Sequence, residues 1–508
     1  MIDPDMLPTF ADMGSLIRLH AEQAPAQPAL LADDRRLDYA SLDLQMDRIA
    51  AALQRDGVEP GDSVALCAFN SIEYACVFLG ALRAGAVVAP LAPGATPASL
   101  QRMLADADAK LLFIDREIDI GDGGPPRIAL DGSDAGRALE DWLAGCASPR
   151  PVAIDPQAGF NIIYSSGTTG EPKGIVQSQA MRWAYAARAV RYGYGTDAVT
   201  LVSTPLYSNT TLVVFFPTLA FGGTVVLMPR FDARSYLGLA QSHRVTHAML
   251  VPVQYERLLA SPEFDRHDLS SFRYKFSTSA PFAASLKSEV LRRWPGALIE
   301  FYGMTEGGGS CVLEAHLHPG KLHTVGTPAP GHDIRLIDET GREVGRGEAG
   351  EVVGHSAGMM TGYHQRPEAT REAEWFDVTG KRFIRTGDVG RFDADGFLTL
   401  LDRRKDVIIS GGFNIYPSDL EAVLRAHPAV ADVAVIGVPS RQWGETPVAF
   451  VVRREDHSAT EGAAMLSWAN ARLGKTQRLL GLRLIDALPR SPIGKVLKRD
   501  LRARYESI

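Results

Sequence analysis

The chain has 508 residues, 45% of them hydrophobic, and a formal net charge of −7. That is enough apolar material for sizeable cores and about three domains of ordinary length, and it excludes a largely disordered chain or a basic nucleic-acid binder. Four cysteines, at 67, 76, 146 and 311, lie too far apart for a disulfide framework or a thiolate metal cluster, which suits a reducing cytosol.

The N-terminal MIDPDMLPTFADMG has acids where a signal peptide needs positive charge, so a cytoplasmic location is expected. Leu42, Met46, Ile49 and Leu53 repeat at helical spacing, and Gly57 can end that helix. SVALCAF (63–69) reads as a buried strand, 71–84 as a helix and AVVAP (86–90) as a strand again. Such alternation implies parallel strands with helices on their faces. KLLFID (110–115), FNIIY (160–164) and GTVVLM (223–228) read as further strands. Residues 198–229 carry no charge, yet Pro205, Pro217, Ser208, Asn209 and Gly222-Gly223 interrupt them. They read as buried strands and a helix beside a pocket rather than a membrane span, which needs about 20 apolar residues in one helix.

From about 331 the texture changes. DETG and DADG stand between alternating runs, which signals hairpins and a small antiparallel β subdomain. After 405 helices return. PSDLEAVLRAHP opens with Ser418 and Glu421 at capping-box spacing, and VADVAVIGV (430–438) follows as a strand. The expected fold is α/β. A large N-terminal domain (1–404) has α/β layers and a β-barrel-like subdomain near 310–404; a small mobile α+β domain covers 405–508.

Residues 164–174 read YSSGTTGEPKG. Glycine lets successive amide N–H groups converge on one anion. Ser165, Ser166, Thr168 and Thr169 add hydroxyl donors and Lys173 a charge. A strand feeding such a loop fits phosphate binding; a solvated turn is the alternative. The spacing matches neither the Walker A loop nor the GxGxxG fingerprint.

YSSGTTGEPKG is similar to the phosphate loop of the adenylate-forming superfamily, the AMP-forming acyl- and aryl-CoA ligases. FYGMTEGG (301–308), RTGDVGRFDADGF (385–397), DRRKDVIISGGFNIYPSDLE (402–421) and PRSPIGKVLKRDL (489–501) resemble its other motifs, in the family's order. The resemblance implies two half-reactions. A carboxylate attacks the α-phosphate of MgATP, giving acyl-AMP and pyrophosphate. A thiol then attacks the acyl carbon and expels AMP. Chemistry of this kind asks mainly for positioning and charge neutralisation.

The resemblance assigns roles. Ser165, Ser166, Gly167, Thr168, Thr169, Gly170 and Lys173 would hold the β- and γ-phosphates, and Thr305 the α-phosphate. Glu306 would hold Mg²⁺, a hard cation that prefers oxygen ligands. Tyr302 would face the adenine. Asp388 would accept from the ribose hydroxyls, and Arg403 would contact ribose or phosphates. Lys495 would stabilise charge in the first half-reaction, then leave as the small domain rotates about Lys405. Gly411 and Gly412 would line a pantetheine tunnel, with Trp443 near the CoA arm and Lys475 and Arg478 on its phosphates. Two departures stand out: Asp402 replaces the usual glycine before Arg403, and KTQRLL the usual YKxP.

The acid pocket is expected from three segments: PLYSNTT (205–211), with Tyr207 and Ser208; STSAP (277–281), with Thr278, Ser279 and Ala280; and the residues after Glu306, with Gly307 and Gly308. Histidine is common in relatives where Ser208 stands, and GG where Thr278-Ser279 stands. Gly307, Gly308 and Gly309 are expected to leave volume near the acyl group, giving a roomy pocket with some polar lining. No aspartate near 208 would hold an amino-acid ammonium, so a fatty or aryl acid is expected, with CoA as acceptor. Alternatives are an adenylate-only or luciferase-like enzyme, a carrier-protein thiol as acceptor, or a nucleotide-binding protein without turnover. Lysine acetylation at Lys495 would remove the charge, making a protein lysine acetyltransferase an expected partner. No nucleic acid and no membrane span are expected.

Overall fold

The computed structural model describes residues 7–146, 148–165, 173–410, 413–441, 443–457, 460–474, 477–490 and 496–506. The chain forms two compact units. The first comprises Met1–Leu322, Pro328–Asp333 and Gly354–Ile384; the second comprises His323–Thr327, Ile334–Val353 and Arg385–Ile508. The division passes inside the strands Gly350–His355 and Arg382–Phe392, so 385–404 group with the C-terminal residues.

Two sheets organise the first unit. In one, Gly362–Tyr363, Lys173–Ser178, Gly159–Ser165, Val87–Pro90, Ser63–Cys67, Ala109–Ile114, Arg127–Ala129 and Arg137–Ala138 lie side by side. In the other, Gly307–Glu314, Ala297–Met304, Tyr274–Ser277, His247–Leu250, Val199–Val202, Thr224–Leu227, Pro28–Ala32 and Arg35–Asp38 do so. The central pairings are parallel, as alternating helices and strands require. The helix Tyr39–Arg55 starts where the Asp38 carboxylate accepts from Ser41 N–H at 2.9 Å, and it buries Leu42, Met46, Ile49 and Leu53. Gly57 follows at φ +82°, a conformation that glycine enters without strain.

The uncharged segment 198–229 folds as strand Val199–Val202, helix Asn209–Ala220 and strand Thr224–Leu227. The helix is apolar on all sides and almost wholly buried, as an enclosed helix must be. Among the described residues no helix is long and apolar enough to cross a membrane. All four cysteines are free thiols.

The second unit carries an antiparallel hairpin, whose strands Arg382–Phe392 and Leu398–Arg403 are joined through DADG. DETG forms a tighter structure: Asp338 and Arg342 close a turn, and Ile337 and Glu343 make one isolated bridge. Further on, strands Phe413–Ile415, Ile408–Ser410, Gly444–Arg453 and Val430–Ser440 form a sheet, and Gly481–Leu484 joins it in parallel. The helix Pro417–Arg425 buries Leu420 and Leu424.

The capping box expected at Ser418 and Glu421 does not form. Tyr416 is the N-cap, without a side-chain bond, and Ser418 already lies within the helix. Ser418 N–H instead donates to Asp402 at 3.1 Å, and Glu421 accepts from Val435 N–H at 2.9 Å. Tertiary partners outcompete the local cap because both side chains are drawn inward.

Candidate active site

Strands Gly159–Ser165 and Lys173–Ser178 are antiparallel, with Ser165 opposite Lys173. The connecting residues 166–172 are outside the described residues, and Ser166, Gly167, Thr168, Thr169 and Gly170 fall among them. Lys173 therefore begins the return strand. The short strand Gly362–Tyr363 pairs on the far edge of that return strand, with Tyr363 opposite Ile175. The Lys173 ammonium lies 5.2 Å from the centre of the Tyr363 ring, within cation–π range.

Thr305 and Glu306 form the tip of a second hairpin, between Ala297–Met304 and Gly307–Glu314, with Met304 opposite Gly307. Three contacts hold this tip. The buried Gln177 amide donates to the Thr305 carbonyl at 2.6 Å. Met360 N–H donates to the Glu306 carbonyl at 2.8 Å. The Tyr363 hydroxyl donates to Glu306 Oε1 at 2.9 Å. Burial, and then the Glu306 carboxylate, push the Tyr363 phenol well above its ordinary value, so it stays a donor at neutral pH. Glu306 is 9% exposed. Tyr302, two strand positions before Met304, is buried opposite Cys311.

Gly307 and Gly308 do not leave the free volume expected of them. A Cβ at Gly307 would lie 1.9 Å from the Gly358 carbonyl oxygen, and one at Gly308 would lie 2.8 Å from the Ile384 side chain. Their φ angles are +83° and +62°. Glycine is required because backbone at 358–359 fills the space beside position 307, and the Ile384 side chain with the Gly354 carbonyl that beside position 308.

Tyr207 and Ser208 precede the buried helix Asn209–Ala220; Ser208 is its N-cap without a side-chain capping bond. Burial pushes the Tyr207 phenol up. Thr278, Ser279 and Ala280 follow the strand Tyr274–Ser277. The two segments meet through Thr210 and Ser279, whose hydroxyl oxygens are 2.6 Å apart. Ser279 sits at φ +78°, the left-handed region that non-glycine residues enter only at a cost. The Thr210 hydrogen bond offsets part of that cost.

In the second unit Asp388 and Arg403 are cross-strand partners, with Arg403 Nε 2.7 Å from Asp388 Oδ1. Lys405 is exposed in a short 3₁₀ turn. Around it, Glu351 accepts from Arg385 at 2.6 Å and Arg404 at 3.0 Å, and Asp406 accepts from Arg502 at 2.7 Å. The Asp402 side chain is 8% exposed; its burial raises the carboxyl to about 6, against the opposing pull of Lys498 at 3.9 Å. Lys498 also pairs with Glu421 at 3.1 Å. Trp443 is 51% exposed, and Arg478 is exposed. Gly411, Gly412, Lys475 and Lys495 are outside the described residues.

Tyr363 and Gln177 escaped the sequence reading, whereas Thr210 lies in the expected pocket segment 205–211. Tyr363 stands in GYHQRP, where nothing in the local pattern separates a site tyrosine from a packing one. Gln177 shows only as a polar residue after Ile175 and Val176 near the end of a strand, a signal that is weak alone. Among the described residues no group of three or more His, Cys, Asp or Glu is arranged to hold a metal. The Glu306 carboxylate offers oxygen, the ligand type that a hard cation prefers.

Residues 17–364 match the model of the AMP-binding enzyme family, and 419–495 match that of the AMP-binding enzyme C-terminal domain. A feruloyl-CoA synthase of an Amycolatopsis species is 35% identical over 97% of this chain and 99% of its own. A long-chain-fatty-acid–CoA ligase of Mycobacterium tuberculosis is 32% identical over 98% and 99%. The crystal structure of ATP-bound MatB from Rhodopseudomonas palustris superposes with a TM-score of 0.87 at 30% identity, covering 98% of this chain and 99% of that one. Motifs in order, a matching fold and end-to-end similarity lead to one conclusion: the chain belongs to the AMP-binding enzyme family and is an AMP-forming acyl-CoA synthetase.

Proposed function

We propose that the enzyme activates an aryl or fatty carboxylic acid as its acyl-adenylate, releasing pyrophosphate, and then transfers the acyl group to CoA with release of AMP. The observation that carries this reading is Tyr363, which bonds Glu306 and lies beneath the Lys173 ammonium. It joins the phosphate-loop strand to the TE hairpin, two motifs that are distant in sequence.

In this reading the 165–173 segment neutralises the β- and γ-phosphates. The Thr305 hydroxyl donates to the α-phosphate as the carboxylate attacks phosphorus and the bond to the pyrophosphate oxygen breaks. Glu306 is the residue that would hold Mg²⁺, which supplies charge neutralisation to the triphosphate when bound. Asp388 accepts from the ribose hydroxyls, and its pairing with Arg403 sets the carboxylate's orientation. Lys495 stabilises the charge of the first transition state and withdraws before the thiol attacks the acyl carbon. The domains are read as 1–404 and 405–508, with Lys405 as the pivot and a cytoplasmic setting.

For the acid, the Thr210–Ser279 hydroxyl pair supports a polar-substituted aryl acid ahead of a long alkyl acid. The names of the relatives fit both classes, since one activates ferulate and another long-chain fatty acids. A panel of short, medium, long-chain and aromatic acids, scored for ATP- and CoA-dependent thioester, tests the reading. Hydroxylated aryl acids are expected to give the highest kcat/KM. ATP–pyrophosphate exchange without thioester from any acid would overturn CoA as the acceptor.

A further inference from the structure

Arg182 is 4% exposed, in the helix Gln179–Ala189 of the first unit. Among the described residues no carboxylate pairs with it. Burial lowers its guanidinium to about 9, so it is charged at neutral pH. Its Nη2 has no hydrogen-bond partner. An isolated buried charge is costly, and a purely structural position would favour an apolar residue.

The bonds that it does make run in two directions. Nη1 donates at 2.8 Å to Asn209 Oδ1, at the first residue of the helix beside Ser208. Nε donates at 2.9 Å to Asn161 Oδ1, in the strand Gly159–Ser165. Asn161 Nδ2 donates at 3.2 Å to Gln177 Oε1, and Gln177 Nε2 donates at 2.6 Å to the Thr305 carbonyl. Asn161 and Gln177 are fully buried. Arginine has donors and no acceptor, so it forces Asn161 Oδ1 toward itself. That choice turns Asn161 Nδ2 toward Gln177 Oε1, and hence Gln177 Nε2 toward Thr305. One cation therefore sets the polarity of the whole chain, and each bond polarises the next.

We propose that Arg182 is a positioning residue of adenylate formation: through Asn161 and Gln177 it fixes the Thr305 carbonyl, and through Asn209 it fixes the start of the acid-pocket wall. The inference rests on the roles given above to Thr305 and to residues 207–211. Its consequence is register. The acid's carboxylate and the α-phosphate must meet within a few tenths of an ångström, and the two elements that hold them share one rigid guanidinium fork.

The test uses the full-length enzyme and the best acid from the panel. Gln177→Glu is nearly isosteric but turns an acceptor toward the Thr305 carbonyl. Adenylate formation, followed by ATP–pyrophosphate exchange, is expected to lose roughly 10- to 100-fold in kcat, with KM for ATP nearly unchanged. Part of the loss should return as pH falls and the buried carboxyl protonates. Arg182→Met should show the same kcat loss. Arg182→Met combined with Gln177→Met should be no worse than the poorer single variant, because both break one chain. Arg182→Lys should recover part of the rate. If Arg182→Met does not fold, the Gln177 variants decide. Wild-type kcat in Gln177→Glu at every pH, lower melting temperatures with unchanged kcat, or multiplicative losses in the double variant would overturn the proposal. A wild-type enzyme inactive with every acid would instead refute the proposed function.

Discussion

Tyr363 donates its hydroxyl to Glu306 at 2.9 Å from a two-residue strand paired with the strand that begins at Lys173. Replacing it with phenylalanine keeps the ring beneath Lys173 and removes one bond to the carboxylate. Tyr363→Phe is expected to slow adenylate formation roughly tenfold, the worth of one charge-assisted hydrogen bond. It should also raise the magnesium concentration needed for half-maximal exchange. Thiolysis of supplied acyl-adenylate should hold. ATP–pyrophosphate exchange across a magnesium titration measures both; unchanged exchange at limiting magnesium would show that the bond is only structural.

Asp388 and Arg403 form an ion pair across the Arg382–Phe392 and Leu398–Arg403 hairpin. Asp388→Ala removes the proposed ribose acceptor and releases Arg403. KM for ATP should rise roughly 10- to 100-fold, with a smaller effect on kcat. Initial rates over an ATP series check it, and an unchanged KM would remove Asp388 from the nucleotide site.

Lys495 is assigned from its place in PRSPIGK. Lys495→Ala should abolish adenylate formation and leave thiolysis of supplied acyl-adenylate intact. Acetylated Lys495 should behave like the alanine variant, because it has lost its charge. Separate assays of the two half-reactions decide; equal retention of both would end the assignment.

Asp402 is raised to about 6, chiefly by burial, whereas an unfolded aspartate titrates near 3.9. Between those values the folded protein binds more protons than the unfolded chain, so this carboxyl's contribution to stability falls as pH rises from about 4 to 6. Asp402→Asn removes the titration. The stability difference, wild type minus variant, should decline across that window by at most about 3 kcal/mol. Chemical denaturation at intervals between pH 4 and 7 measures it, and a flat difference would show that Asp402 is not shifted.

Much of the fold was legible because local periodicity reports burial. Leu42, Met46, Ile49 and Leu53 are all fully buried on one helix face, and the alternation around them required parallel strands. The motifs were legible because glycines, hydroxyls and charges at set spacings have few structural uses. Local pattern failed where a residue's partner lies far along the chain. Glu421 was read as a cap and instead bonds Val435 and Lys498. Gly307 was read as open space and instead makes room for the Gly358 carbonyl.

The amino-acid order by itself determined the α/β class, the motifs and the chemistry they imply, since those depend on neighbouring residues and on side-chain type. Tertiary structure alone decided that Tyr363 meets Glu306, that Gln177 meets the Thr305 carbonyl, and that Arg182 reaches both Asn161 and Asn209. Those contacts join segments whose proximity is set by sheet order and helix packing, and no property of either segment alone specifies it.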